Sequence, residues 1–301
     1  MHKWMMAAAL LQVAVALPAR AQTNFDKVEI TSETLAPGLH VLFGAGGNIG
    51  VSTGADATAL IDDQYAPLTA KIVAATAKLS PHPIKFVINT HWHGDHTGGN
   101  ENLGKAGAVI IAHDNVRTRM ASDQFMAAMQ RTVKASPPAA LPVVTFDSTT
   151  TLHLNGEDIR AVHIAPAHTD GDSLIVFTKA NVIHMGDTFM TTGYPYADLA
   201  SGGNVRGYLA AHDTALALGN AATRYIPGHG KVSDRAGLVA YRTMVAETIA
   251  AVEAAMAGGK TVEQVIAAKP TAPWDARWGN GFIKPNAWVR TIYASLSAKP
   301  R

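Results

Sequence analysis

The sequence contains no cysteine among its 301 residues, although it contains 13 histidines. The lack of thiols excludes disulfide bonds, thiolate metal sites, cysteine nucleophiles and a lipid-modified cysteine anchor. Any metal site in this protein must therefore lack thiolate ligands, and the histidines are the first candidates to replace them.

Charge of either sign is also scarce. Only 16% of the residues are charged, and 25 Lys and Arg residues are nearly balanced by 23 Asp and Glu residues. This composition lacks the basic field with which proteins bind nucleic acid, so we expect no nucleic-acid partner. Hydrophobic residues make up 48% of the chain, which supports a sizeable buried core and excludes disorder as the main state.

The first 21 residues have the pattern of a signal peptide. A basic start precedes an apolar run over residues 4–17, and Ala19 and Ala21 are the small residues that a signal peptidase reads. The run is shorter than the ~20 residues of a membrane-spanning helix, and no later run is long enough, so we expect no stable membrane anchor. Cleavage is expected before Gln22, which gives a periplasmic or secreted protein.

Strand and helix patterns alternate along the rest of the chain. The predicted elements are a β-meander over residues 27–62, a helix at 67–79, strands at 84–89 and 108–112, a helix at 116–134, strands at 161–164, 173–177 and 182–184, a helix at 205–218, a strand at 224–226 and a mostly helical tail. No linker divides them. Residues 22–301 are therefore expected to form one α/β domain with a mixed sheet and a helical C-terminal segment.

A dense cluster of metal-binding residue types follows the buried strand at 84–89. Within a few residues it contains His91, His93, Asp95 and His96. If these groups face one another they repel protons and lose solvation, unless a cation compensates. The cluster therefore predicts a metal site.

Further donors occur where later strands end, namely His168, Asp187 and His229. Each follows an apolar strand run and precedes a turn. All three can converge with the first cluster on one edge of a sandwich, which is the placement that a dinuclear site requires.

The His-x-His-x-Asp-His pattern of residues 91–96 resembles the signature of the metallo-β-lactamase superfamily, and the likeness extends over nearly all of the chain after the signal peptide. The resemblance implies an αβ/βα four-layer sandwich of two mixed β-sheets flanked by helices. It also implies the ligands: His91, His93 and His168 for one metal, Asp95, His96 and His229 for the second, Asp187 as a bridge, and Asp62 as a residue that orients the ligand loop.

Such a site indicates hydrolysis of a carbonyl compound. Two divalent cations lower the pKa of a shared water, polarise a carbonyl oxygen and neutralise the charge that develops on it. Asp95 is expected to align the nucleophile and to carry its proton towards the leaving group. Nitrogen and oxygen donors suit two zinc ions per chain, with iron and manganese as open alternatives.

Aromatic residues near the cluster are candidates for contact with a small-molecule substrate. Trp92 lies between two ligands and either lines the pocket floor or packs, and Tyr194 and Tyr196 follow Asp187 closely enough to donate to an oxyanion. Apolar residues at 125–143 and 274–282 are expected to form a pocket wall. The Met-rich segment 116–143 is a candidate lid.

Residues that differ from the β-lactamase pattern indicate which substrates are favoured. Aspartate at position 187, where β-lactamases typically have cysteine or serine, weakens the β-lactam interpretation, while the export signal and the turn at 227–230 favour it. A bridging aspartate is typical of lactonases and of thioesterases like glyoxalase II, but the tail has no basic cluster for glutathione. The first hypothesis is an exported dinuclear zinc hydrolase of cyclic amides or esters, with lactonase or thioesterase activity as the alternative.

A second hypothesis comes from a different class of enzyme. The chain also resembles the persulfide dioxygenases of the same superfamily, in which the positions of His91, His168 and Asp187 hold a single iron. Metal analysis separates the two. A non-catalytic binding protein is the third hypothesis, and the intact ligand set argues against it. The sequence carries no signal for an oligomeric state.

Overall fold

Two β-sheets face each other across the centre of the computed structural model, which describes residues 24–126 and 130–298. The predicted signal peptide lies outside the described residues. The strands are β1 (Thr31–Ala36), β2 (Leu39–Phe43), β3 (Ile49–Ser52), β4 (Thr58–Ile61), β5 (Ile84–Ile88), β6 (Val109–His113), β7 (Gln124–Met126), β8 (Arg131–Val133), β9 (Val144–Phe146), β10 (Thr149–Leu154), β11 (Glu157–His163), β12 (Ser173–Phe177), β13 (Val182–His184) and β14 (Arg224–Ile226).

Both large sheets are mixed. The first has the order β1-β2-β3-β4-β5-β6-β9, and its first four strands form the predicted antiparallel meander. From β4 to β9 its neighbouring strands are parallel. The second sheet has the order β10-β11-β12-β13-β14 and ends in the parallel pair β13 and β14. Since parallel strands end on the same side, loops that follow β4 and β5, or β13 and β14, meet at one sheet edge.

Helices cover the outer face of each sheet. They are α1 (Thr69–Ala77), α2 (Gly94–Thr97), α3 (Asn100–Lys105), α4 (Asp114–Met120), α5 (Val205–Leu218), α6 (Arg235–Ala257), α7 (Val262–Ala267), α8 (Ala272–Trp278) and α9 (Pro285–Ser297). None of these described helices is long and apolar enough to cross a membrane.

Three apolar clusters hold the layers together. One lies between the sheets and includes Ile61 and Ile175. A second joins the first sheet to α1 through Ile72, and a third joins the second sheet to α5, α6 and α9 through residues such as Tyr208 and Trp288. Burial of these side chains on both faces of both sheets is the main stabilising term. The expected αβ/βα four-layer sandwich is confirmed.

The long helix predicted over residues 116–134 is wrong. Helix α4 ends at Met120, and β7 and β8 form an antiparallel hairpin. Asp123 closes the hairpin base, where its carboxylate accepts hydrogen bonds from the Ala135 N–H at 3.0 Å and from Lys134 Nζ at 2.7 Å. Met120 and Met126 are both buried around Trp92, one from the helix and one from a strand, so the apolar residues of this segment do not lie on one helix face.

The first strand also differs from the prediction. Residues 28–30 are not a strand, and β1 begins at Thr31. This strand forms the edge of its sheet and is largely exposed, so its sequence has no apolar alternation to reveal it. Strands β9 and β10, which are also at the edges of their sheets, do not follow from the sequence patterns either.

Candidate metal centre

The predicted ligands lie together at one edge of the sandwich, where strands of both sheets end. The first sheet contributes the loop after β5 and the short helix α2, and the second contributes the loops after β11, β13 and β14. In chain order these segments supply His91 and His93, then Asp95 and His96, then His168, Asp187 and His229. Ligands from two sheets therefore converge on one centre.

The donor atoms form three overlapping groups, and within each group they lie within 4.8 Å of one another. The groups are His91, His93 and His168; His91, His96 and Asp187; and Asp95, His96 and His229. Carboxylate oxygens of Asp187 lie 3.0 Å from His96 Nε2, 3.4 Å from His229 Nε2 and 3.6 Å from His168 Nε2. Asp187 thus lies between the other two groups, as the resemblance implied for a bridging ligand.

Hydrogen bonds on the outer side of the cluster orient its imidazoles. His96 Nδ1 lies 2.7 Å from Asp62 Oδ2, and His93 Nε2 lies 3.1 Å from Asp198 Oδ2. His168 Nδ1 donates to the Tyr196 carbonyl. Because these ionised carboxylates and this carbonyl only accept, each of the three ring nitrogens must carry a hydrogen. The opposite nitrogen of each ring then faces the centre of the cluster.

Asp62 also orients His91, through Thr90. Its carboxylate accepts hydrogen bonds from the Thr90 N–H and from Thr90 Oγ1, both at 2.8 Å. Since that hydroxyl donates to Asp62, it must accept from His91 Nδ1, which lies 3.0 Å away. Asp62 has a φ of 63°, an uncommon conformation for a residue with a side chain. One buried carboxylate therefore orients two candidate ligands, the role expected of Asp62.

The charges of the cluster are strongly coupled. Burial lowers the pKa of His229, but Asp187 and Asp95 outweigh it and raise that pKa to about 10. Burial raises the pKa of Asp187, but the cations of His229 and His96 hold it well below its usual range. By contrast, burial and neighbouring His93 lower the pKa of His168 to about 4. The carboxylates thus favour positive charge at the same positions that a metal ion would occupy.

Two buried polar atoms indicate that a cation fits this centre. Neither His91 Nε2 nor Asp187 Oδ1 has a described hydrogen bond of good geometry, although both are shielded from solvent and Asp187 Oδ1 lies 3.0 Å from His96 Nε2. Such atoms are costly to bury without a partner. A cation would satisfy both, and the mixture of imidazole and carboxylate donors suits zinc, iron or manganese.

Two supporting carboxylates were not predicted from the sequence. Asp198 accepts the hydrogen bond from His93 described above, and also one from Ser201 Oγ at 2.6 Å. Asp172 accepts from the backbone N–H of His168 at 2.7 Å and from Thr169 Oγ1 at 2.6 Å. Asp172 had a usable signal, because an aspartate three residues after a threonine often closes a turn. Asp198 had none.

The structure separates the predicted aromatic contacts. Tyr194 was expected to donate to an oxyanion, and this is wrong: its hydroxyl donates to Asp275 Oδ1 at 2.8 Å, and its ring is buried against Trp288. Tyr196 lies beside the ligands, with its ring 5.9 Å from that of His93. Trp92 contacts His93 with a ring separation of 4.7 Å, but it is buried in the cluster with Met120.

Only part of the predicted pocket wall lies beside the candidate ligands. Phe282 lies against Tyr196, with ring centres 6.4 Å apart, and is 53% exposed. Trp274, by contrast, packs against the helical core cluster. Phe125 is exposed on β7.

Two glycines let the backbone approach the ligands closely. A Cβ atom at Gly47, in the turn between β2 and β3, would lie 2.1 Å from His96 Cε1. A Cβ atom at Gly228 would lie 2.0 Å from Asp187 Oδ1. Any side chain at these positions would displace a ligand.

Comparisons with known proteins agree with this architecture. A hydroxyacylglutathione hydrolase from Nitrosococcus oceani is 29% identical over 174 residues, which are 57% of this chain and 58% of that protein. An atrochrysone carboxyl ACP thioesterase from Aspergillus terreus is 24% identical over 149 residues, which are 50% of this chain and 40% of that enzyme. The chain thus matches only 40 to 58% of the length of these two relatives.

Solved structures share the fold at low sequence identity. A metallo-β-lactamase from Pontibacter korlensis superposes with a TM-score of 0.59 at 16% identity, over 72% of this chain and 99% of that one. A sec-alkylsulfatase from Pseudomonas sp. superposes with a TM-score of 0.68 at 16% identity, over 90% of this chain and 52% of that one. The family model described as metallo-beta-lactamase superfamily matches residues 44–237. The chain belongs to the metallo-β-lactamase superfamily.

Proposed function

We propose that the protein is a dinuclear zinc hydrolase that cleaves the bond between the carbonyl carbon and the leaving group of a small-molecule ester, thioester or cyclic amide. The position of Asp187 carries this proposal. Its carboxylate lies within 3.6 Å of histidines from both outer ligand groups, so it can be shared by two cations. His91, His93 and His168 would hold one zinc ion, and Asp95, His96 and His229 the other.

Bound zinc would polarise the substrate carbonyl and make a water molecule more acidic. The chain itself supplies the group that aligns this water. Asp95 Oδ2 lies 3.3 Å from His229 Nε2, and about a quarter of the side chain reaches solvent. Burial raises the pKa of Asp95, but His96 and His229 hold it well below its usual value, so the carboxylate is ionised. An ionised Asp95 can align the attacking water by accepting a hydrogen bond from it, and its position suits a proton relay towards the leaving group.

Thioesters and lactones are the first substrates to test. Two relatives are named for thioester hydrolysis or for a hydroxyacylglutathione substrate. Position 187 is aspartate, which weakens the case for β-lactams. A β-lactamase-like activity on cyclic amides stays part of the proposal as a secondary activity.

The test combines metal content with activity. We expect two zinc ions per chain by elemental analysis, and chelator-sensitive hydrolysis of a thioester, a lactone or a chromogenic β-lactam. Because the protein has no cysteine, thiol release from a thioester is measured without background from the enzyme. The proposal fails if the zinc-loaded protein hydrolyses none of these substrates.

A mononuclear iron enzyme is the second candidate. His168 Nε2 lies 3.6 Å from Asp187 Oδ2, and the rings of His91 and His168 are 4.6 Å apart, so these residues can form a two-histidine, one-carboxylate triad. The assembled group of Asp95, His96 and His229 favours two metals instead. One iron per chain, with oxygen consumption on a persulfide substrate, would replace the hydrolase proposal.

We also propose that the protein is exported. The support is the signal-peptide pattern of residues 1–21. N-terminal sequencing of the protein from the periplasm or the culture medium should begin at Gln22. An intact N-terminus in the cytoplasmic fraction would reject export.

A further inference from the structure

The loop between α8 and α9 packs tightly against the loop that follows Asp187. A Cβ atom at Gly281 would lie 2.5 Å from the Thr192 carbonyl oxygen and 2.6 Å from Gly193 Cα. A Cβ atom at Gly193 would lie 2.7 Å from Gly281 Cα. The two backbones are in direct contact at a pair of glycines, and this contact fixes the position of the residue next to Gly281, which is Phe282.

The contact brings an aromatic pair to the metal centre. The Tyr196 ring is nearly parallel to the His93 ring at 5.9 Å and meets the His168 ring edge-on at 5.6 Å. The Phe282 ring meets Tyr196 edge-on at 6.4 Å, with 53% of its surface exposed. A continuous aromatic surface therefore runs outward from two candidate ligands. We call Tyr196 and Phe282 the aromatic wall.

We propose that the aromatic wall binds the acyl group of the substrate and makes the enzyme selective for aromatic over short aliphatic acyl groups. This inference rests on the proposed hydrolase function. Stacked and edge-to-face contacts between rings are favourable, and an acyl group whose carbonyl lies at the metal centre can continue along the wall. An acetyl group is too short to make those contacts.

The reaction used for the test is hydrolysis of a thioester. The oxygen of water bonds to the carbonyl carbon and the carbon–sulfur bond breaks. The products are a carboxylate and a free thiol: one proton of the water passes to the sulfur and the other is released to solvent. Two thioesters of N-acetylcysteamine, one 3-phenylpropanoyl and one acetyl, share the leaving group, so their ratio of kcat/KM reports the acyl site alone.

Phe282→Ala should lower that ratio by about tenfold, chiefly through KM for the phenylpropanoyl substrate. Phe282→Leu, which keeps apolar surface, should restore part of it. Leu218→Ala removes an exposed apolar side chain at the end of α5, outside the predicted pocket wall, and serves as the control, with an unchanged ratio. An equal loss in Leu218→Ala, or no loss in Phe282→Ala, would overturn the assignment.

Gly281→Ala tests the glycine contact. The added methyl group must push the loop away from Thr192, so the ratio should fall as it does in Phe282→Ala while the melting temperature shows that the protein still folds. Gly258→Ala is the control, because a Cβ atom there makes only ordinary contacts, the nearest at 3.4 Å. A Gly281→Ala protein that folds and keeps the wild-type ratio would contradict the role of the contact.

A binding measurement separates failure of this inference from failure of the proposed function. Saturation-transfer NMR with 3-phenylpropanoate should show contact with its phenyl ring in the wild-type protein and a much weaker signal in Phe282→Ala. If neither thioester is hydrolysed, nor a lactone or chromogenic β-lactam, but this binding is seen, the hydrolase proposal fails and the aromatic wall stands. If both are hydrolysed and the phenyl signal does not depend on Phe282, the aromatic wall fails and the hydrolase stands.

Discussion

At the residue scale, the orientation of the candidate ligands depends on acceptors outside the metal cluster. Asp62, Asp198 and the Tyr196 carbonyl each accept a hydrogen bond from the far side of an imidazole. Each such bond fixes the orientation of the ring and turns its other nitrogen towards the centre of the cluster. Asp62 orients two rings, so it is the supporting residue whose loss should matter most.

Asp62→Asn should weaken zinc binding by roughly ten- to a hundredfold. The amide replaces one oxygen with a donor, which would then face the Thr90 N–H, or the Thr90 hydroxyl and His96. Competition with a chromogenic chelator measures the affinity. Asp26 is an exposed carboxylate far along the chain from the ligands, so Asp26→Asn should bind zinc as the wild type does. Equal zinc affinity in Asp62→Asn and Asp26→Asn would contradict this role of Asp62.

A buried histidine away from the ligand set should make stability depend on pH. Burial lowers the pKa of His212, and the hydrogen bond from Nε2 to the Thr188 carbonyl raises it. Burial has the larger effect, so the pKa is about 4. Below its ordinary pKa of 6.5 the unfolded chain takes up a proton at His212 that the folded chain does not. Its contribution is therefore complete above pH 6.5 and is lost as the pH falls towards 4, by about 3 kcal/mol.

Urea unfolding of the wild type and His212→Gln, both with chelator, measures this effect. The free energy of unfolding of the wild type relative to the variant should decrease as the pH falls through that range. A difference that does not change with pH would show that folding does not lower the pKa of His212.

The sequence revealed the ligands and missed some of their supports for a physical reason. Histidine and aspartate clustered after a strand have few other uses, so His91 and Asp95 stand out by residue type. Asp198 is one acid among the 23 acidic residues of the chain, and only the path of its loop brings it to His93. Tyr194 was misplaced because closeness in sequence to Asp187 does not give the direction of a side chain.

At the scale of elements, the hairpin turn between β2 and β3 closes one side of the cluster. The Gly47 N–H donates to the Asp95 carbonyl at 2.9 Å, and Gln64 Nε2 donates to the Gly47 carbonyl at 2.7 Å. This turn therefore holds α2, which carries two candidate ligands, in a position that leaves no space beside His96.

Gly47→Ala should lower zinc affinity by at least about tenfold, because the new methyl group overlaps the His96 ring. Gly94→Ala offers a matched control within the ligand motif, since a Cβ atom there meets nothing within 4 Å. The same chelator competition applies to both proteins. If the two variants bind zinc equally, the turn does not constrain His96.

A helix or strand could be predicted from the sequence where its buried residues recur at regular spacing. Strands β4 and β12 are buried at every residue and appear as continuous apolar runs. The exposed edge strand β1 and the hairpin of β7 and β8 have no such period, since β7 and β8 form a small sheet of their own. The hairpin is held by the hydrogen bonds of Asp123 to Lys134 and Ala135 and by the packing of Met126 around Trp92, and none of these contacts appears as a periodic apolar pattern.

At the scale of the whole molecule, the candidate ligands come from both large sheets. His96 is on α2, which follows strand β5 of the first sheet, and Asp187 follows strand β13 of the second. Their side chains lie 3.0 Å apart. A metal ion at this edge would link the two halves of the sandwich. Metal binding should therefore stabilise the entire fold as well as the site.

Removal of metal should lower the melting temperature. Zinc at a thousandfold excess over its Kd contributes about 4 kcal/mol, which corresponds to roughly 8 °C for a chain of this size. Differential scanning calorimetry with chelator, and again after zinc is restored, measures the shift. His91→Ala should lose most of the response to zinc, and a full response in that variant would contradict the ligand assignment.

The C-terminal helices complete the third apolar cluster, which covers the outer face of the second sheet. The family match ends at residue 237, yet α6 and α9 bury Leu238 and Trp288 against the outer face of the second sheet. A fragment that stopped at the end of the match would keep every candidate metal ligand and expose that apolar face to water. Such a fragment should aggregate, so the minimal folding unit of this protein is longer than the segment by which its family is identified.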